Sequence, residues 1–193
     1  MRTLGLFFFL FGCVTTVNAQ MVIGVRGGLN LSDIVLNNLT NPDLEPAYQV
    51  KAGLHAGVFV LLDGENEFGL VAELLYSNKG VNALNRINLH YVTIPLLLRY
   101  HLNEKWVAEA GPEIGYLVSA NSRYGNLNST WDNKLDVGLD AGLHYRIGKA
   151  YVGLRFNAGF LSVIRNASGA SGEQVRYLNR AVQLSLSLPI KSI

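Results

Sequence analysis

The chain has 193 residues, of which 49% are hydrophobic and only 16% charged, with a mean hydropathy of +0.21 and a formal net charge of +2. A typical soluble domain carries roughly 25% charged residues. The composition therefore excludes a disordered chain and fits an ordinary water-soluble enzyme poorly. With 16 basic against 14 acidic residues it gives no electrostatic case for a nucleic-acid partner.

Residues 1–19 read as a secretory signal peptide. Arg2 supplies a positive start, Leu4 to Val14 is apolar and Phe-rich, and Val17-Asn18-Ala19 permits a cut before Gln20. The stretch is shorter than the about 20 apolar residues that a spanning helix needs. Cys13, the only cysteine, would leave with it, so residues 20–193 would form a barrel domain with no thiol chemistry and no disulfide.

No later apolar run reaches helix-spanning length, and period-two alternation marks eight strand segments instead. The first, about 21–32, sets Met21, Ile23, Val25, Leu29 and Leu31 against Arg26, Asn30 and Ser32. The second, about 49–62, opposes Val50, Leu54 and Val58 to Lys51 and His55. The third, about 67–79, opposes Phe68, Leu70, Leu74 and Tyr76 to Glu73 and Lys79. The fourth, about 89–102, opposes Val92, Ile94, Leu96, Leu98 and Tyr100 to Thr93, Arg99 and His101. The fifth, about 105–119, opposes Trp106, Ile114 and Tyr116 to Glu109 and Glu113. The sixth, about 134–147, opposes Leu139, Leu143 and Tyr145 to Asp136, Asp140, His144 and Arg146. The seventh, about 150–162, opposes Leu154, Phe156 and Phe160 to Arg155 and Asn157. The eighth, about 178–190, opposes Leu184, Leu186 and Leu188 to Gln183, Ser185 and Ser187.

Short connections alternate with long polar ones. This is the plan of an all-β, eight-stranded, antiparallel, up-and-down transmembrane β-barrel in a bacterial outer membrane, with both termini on the short-turn, periplasmic side. The rival is a soluble barrel with its apolar face inward. Roughly six large apolar residues on each strand would not fit an eight-stranded interior, which side chains barely fill. The strand glycines also share the polar face, where long Arg and Glu side chains would need space. The polar face therefore points inward and the apolar face meets outer-membrane lipid and lipopolysaccharide. His90 and Arg180 break the parity beside long loops, at the outer rim.

Two sets of residues follow. Phe68, Tyr100, Trp106 and Tyr145 near short turns, with Tyr76, Tyr116 and Phe160 near long loops, would form two aromatic girdles. Arg26, Lys51, Arg99, Arg146 and Arg155 would meet Glu73, Glu109, Glu113, Asp136 and Asp140 in a salt-bridge network that fills the lumen, with Glu73, Arg99, Glu109 and Arg155 near its centre.

The runs Gly27-Gly28-Leu29-Asn30-Leu31-Ser32, Glu73-Leu74-Leu75-Tyr76-Ser77-Asn78-Lys79-Gly80, Ile94-Pro95-Leu96-Leu97-Leu98-Arg99-Tyr100 and Ala110-Gly111-Pro112-Glu113-Ile114-Gly115-Tyr116 resemble the Bacteroidetes outer-membrane β-barrel family, whose members are labelled porin-family or PorT-like. Leu154-Arg155-Phe156-Asn157-Ala158-Gly159 and Gln183-Leu184-Ser185-Leu186 continue the resemblance along essentially all of the chain after the leader. It implies a barrel similar in shape to OmpA or OmpX, inserted by the outer-membrane assembly machinery. It describes architecture rather than an activity.

Catalytic, metal and cofactor sites find no support. No ordered Ser/His/acid or paired-carboxylate constellation occurs, and His55, His90, His101 and His144 are dispersed. The Asn-x-Ser/Thr triplets at Asn30, Asn38, Asn128 and Asn166 read as chance in a bacterial protein. The expected role is structural or surface-interacting, through long loops on a rigid scaffold, with Arg123, Tyr124, Leu127 and Trp131 as contact candidates. The alternatives are a narrow porin-like channel for small solutes and a PorT-like accessory component of a secretion system, with an unknown partner.

Overall fold

The computed structural model describes residues 20–37, 49–64, 67–82, 86–164 and 174–193. The expected signal peptide and the triplets at Asn38 and Asn166 lie outside them. Eight long strands occur: β1 (Gln20–Asn37), β2 (Lys51–Asp63), β3 (Phe68–Asn82), β4 (Arg86–His101), β5 (Trp106–Ser122), β7 (Leu135–Ile147), β8 (Ala150–Ser162) and β9 (Arg176–Ser192). A two-residue β6 (Gly125–Asn126) folds back onto the end of β5.

Each long strand pairs antiparallel with its neighbours in sequence, and β1 pairs with β9. The sheet is therefore a closed ring of eight strands with no free edge. Most strands outrun the about 9–11 residues that cross a bilayer, and β1 and β9 reach 18 and 17. The surplus extends past the expected girdle at the long-loop end. At the other end the hairpins are tight. Gly148-Lys149 joins β7 to β8 across the Ile147–Ala150 pair, and Gly148 has φ +61°, as a primed hairpin turn requires.

Alternation decides which side each residue takes. Leu54 and Leu154 are 61% and 57% exposed on the outside, whereas Arg155 and Glu73 are 1% and 3% exposed inside. A water-soluble protein would bury the first pair and expose the second. The inversion is what lipid outside and a narrow lumen inside demand.

The lumen glycines serve backbone closeness more often than side-chain room. A Cβ on Gly28, Gly57 or Gly111 would overlap the carbonyl oxygen of Leu184, Leu74 or Leu96 on the adjoining strand. Inward Cβ atoms converge in so small a ring, and glycine removes them where adjacent strands crowd most. Gly153 is the clearest case of the expected role, because a Cβ there would overlap the His144 ring.

Candidate functional site

The lumen is layered. Its central layer is ionic. The Arg155 guanidinium makes a bidentate pair with Glu73, at 2.9 and 2.8 Å, and donates to Glu109 Oε2 at 3.0 Å. Arg26 donates to Glu73, to Glu109 Oε2 at 3.2 Å and, through Nε, to Ser187 at 2.7 Å. Two carboxylates on β3 and β5 thus share two guanidinium groups from β1 and β8. His144 Nε2 lies 2.9 Å from Glu109 Oε2, yet off the line that a hydrogen bond needs. Arg99 stands apart, with Nη1 3.8 Å from Glu109 Oε1 and its guanidinium 4.5 Å from the Tyr151 ring centroid.

Towards the long loops the network continues through amides. Lys79 Nζ donates to Glu113 at 2.7 Å and Asn157 at 2.9 Å, and Asn157 Nδ2 donates to Asp140 at 2.7 Å. Asn179 Nδ2 donates to Asp136 at 2.8 Å and to the Tyr91 hydroxyl at 3.0 Å. Alongside, His55 spans Asn30 at 2.8 Å and Ser185 at 2.9 Å, stitching β1, β2 and β9 together. Lys51 is buried, and among the described residues it bonds neutral oxygens, the Asn78 side chain and the Lys79 carbonyl.

Among the described residues, the buried charges are five carboxylates (Glu73, Glu109, Glu113, Asp136 and Asp140) and five cations (Arg26, Lys51, Lys79, Arg99 and Arg155). Arg146 is not among them. It has the inward parity but sits beside the turn, exposed, with Nε donating to the Gly148 carbonyl at 3.1 Å. Lys79, omitted from the expected network, takes its place in the balance. Its inward parity was visible, since it follows Glu73 by six residues on one strand.

Apolar side chains flank the ionic layer towards both ends, which the sorting of residues into polar and apolar faces did not bring out. At the short-turn end Phe59, Leu61, Val71 and Leu97 point inward as one cluster. At the long-loop end Ile34, Val81, Leu89, Tyr91, Leu117, Ala120, Trp131 and Val163 form a second. Trp131 is 3% exposed and packs edge-on to Tyr177, with ring centroids 6.5 Å apart. Its loop is tied down, since Ala120 N donates to Asn128 Oδ1 at 2.6 Å and Trp131 N to the Leu127 carbonyl at 2.9 Å. The contact candidates therefore divide. Trp131 and Leu127 pack over the mouth, while Arg123 and Tyr124 stay exposed, Tyr124 at 77%.

On the outer face, Phe68 stacks near Tyr100 and Trp106 meets Tyr145 edge-on, both pairs with centroids 4.9 Å apart, at the short-turn end. Tyr76, Tyr116 and Phe160 are exposed towards the other end. Two of their hydroxyls are engaged: Tyr100 donates to Glu67 at 2.8 Å, and Tyr76 lies 2.6 Å from His90 Nδ1. His90 faces outward because Leu89 and Tyr91 turn inward, and the β4–β5 register shifts at His90/Tyr91. Among the described residues no group of three or more His, Cys, Asp or Glu side chains could hold a metal.

Neisserial surface protein A (NspA) has a similar fold, with a TM-score of 0.55 at 6% identity over 87% of this chain and 97% of that one. Ail, the attachment invasion locus protein of Yersinia pestis, aligns at a TM-score of 0.44 and 10% identity over 88% and 99%, respectively. No curated protein matches the chain in sequence. The family model described as an outer membrane protein β-barrel domain matches residues 18–165, more than half of the sequence. With that match, an eight-stranded ring and a lipid-suited exterior, the chain belongs to the outer membrane protein β-barrel domain family.

Proposed function

We propose that this protein is an exported outer-membrane barrel whose lumen is sealed and whose role is structural or surface-interacting, carried by the loops at its long-loop end. The observation that carries the reading is the filling of the lumen: an interlocked ionic centre that spans it, flanked by apolar clusters towards both ends. A water-filled path would need Trp131, Leu89 and Leu117 at one end, or Arg26 and Arg155 at the centre, to move aside. Burying so many charges is tolerable only because each central ion has partners, and breaking one set of contacts to open a path strands the others. Lipid and lipopolysaccharide surround the barrel. The short turns and both termini face the periplasm, and the exposed Arg123 and Tyr124 face outward, where a surface partner would meet them.

Two measurements test this. Planar-bilayer recordings of the purified barrel should show no stable porin-size step, and such a step overturns the sealed lumen. A Tyr124→Cys variant, whose cysteine would be alone once a leader carrying Cys13 is removed, should react with a membrane-impermeant maleimide on intact cells. Labelling that requires permeabilised cells reverses the orientation.

A further inference from the structure

The short-turn mouth holds a cavity of about 400 Å³ beside the inner apolar cluster, reaching in as far as Arg26. Its charge is one-sided. Arg99, Arg146, Lys149 and Lys191 line it, and Asp63 is the one acid among the lining residues. Asp63 is engaged by His101, with Nε2 3.1 Å from Oδ1. Arg26 also reaches the cavity, but Glu73 and Glu109 already neutralise it.

The four remaining cations differ from those of the central layer. Arg99 is 3% exposed, and its Nε and Nη2 make no hydrogen bond among the described residues. The central guanidinium groups, by contrast, are each shared between carboxylates. Arg146, Lys149 and Lys191 are exposed at the rim, on β7, the β7–β8 turn and β9. Phe59 and Leu61 on β2 supply an apolar wall, while the Tyr151 ring, paired across from Arg146, lies beside the cations under the Arg99 guanidinium. Cations converging in a cleft with low-dielectric walls focus their field on it and raise the local concentration of anions. Arg offers a planar fork for oxyanions, and Lys adds point charges suited to a multiply charged one.

We propose that this mouth is a binding site for a phosphate monoester with an apolar or aromatic body. The phosphate sits by Arg146 and Lys149, within reach of the field of Arg99 and with Lys191 at the outer edge of the rim, and the body lies against Phe59 and Leu61. Pockets of this volume lie within the usual range for small ligands. The same chemistry could reach the mouth as a soluble monoester or as the monoester headgroup of phosphatidic acid folded over the rim.

The test uses the full barrel in non-ionic micelles at about 0.1 M salt, where distant surface charges are screened, and titrates phenyl phosphate and inorganic phosphate calorimetrically. Saturable one-site binding is expected, tighter for phenyl phosphate. The variant Arg146→Ala/Lys149→Ala/Lys191→Ala should weaken it by at least about tenfold while the heat-dependent gel shift of the folded barrel is unchanged. Lys149→Glu/Lys191→Glu, confined to the exposed rim, should abolish it. Absence of saturable binding, or equal affinity in the wild type and these variants, overturns the proposal. Repeating the titration in nanodiscs identifies the source. Loss of phenyl phosphate binding on adding phosphatidic acid to phosphatidylcholine assigns the site to a monoester headgroup, and retained binding assigns it to the soluble ester; both outcomes support the shared chemistry.

Discussion

The centre of the lumen and its long-loop end are both buried, but they are filled by opposite means. In the centre, Arg26, Glu73, Glu109 and Arg155 hold one another through directional bonds, with each carboxylate shared between both guanidinium groups. At the long-loop end, Trp131 packs among aliphatic side chains that can shift to follow a change. Ionic filling is thus intolerant of single losses and indifferent to joint ones, whereas apolar filling loses stability in proportion to the volume removed. The difference explains how a narrow barrel can carry ten buried charges without each being individually stabilising.

The sharpest way to break this comparison is Glu109→Ala. It leaves Arg26, Arg99 and Arg155 short of a counter-charge and should cost about 3–5 kcal/mol in denaturant unfolding from micelles. Replacing Glu73 and Arg155 together by Met should cost less than replacing Glu73 alone. If the double variant is the less stable, the centre behaves like ordinary packing and the contrast fails. Trp131→Ala should cost roughly 3 kcal/mol in the same assay, with no such rescue by a second substitution. A smaller effect is expected for Gly153→Val, about 1–3 kcal/mol from overlap with His144. His144→Ala should relieve part of that loss, and an unrelieved loss would place the strain in the backbone. Tyr124→Ala, at an exposed loop position, should stay within about 0.5 kcal/mol of wild type. A larger loss would mean that the loop tip is held as firmly as its base.

Much of the fold was legible because a barrel strand has only two sides. Period two placed Arg26, Glu73, Arg99, Glu109 and Arg155 on one face and Leu54, Leu74 and Leu154 on the other, and the chain must then close on itself to bury the first set. Depth along the strand was harder to read. Arg146 and Arg155 have the same parity, but one sits beside a turn and the other mid-strand, so only Arg155 is buried. Phe59, Leu61, Val71 and Leu97 were invisible as lumen residues because a two-letter pattern sends every apolar side chain to lipid. Near the ends of the ring the interior also takes apolar groups, which share the parity of the polar residues but not their chemistry. The packing of Trp131 had no periodic signal at all, since it depends on a loop folding back over the mouth.

The pairing of β1 with β9 sets the order of events during folding. Val22 lies opposite Ser192, and sixteen residue pairs run from there to Asn37–Arg176. The ring therefore cannot close until its last strand exists, and contacts of such long sequence separation form slowly. Until then the chain has two open edges and an apolar face that no water can satisfy, the combination most prone to pairing with a stranger. Keeping an unfinished chain soluble and apart from its copies is thus a requirement written into the topology, before any question of what the finished barrel does.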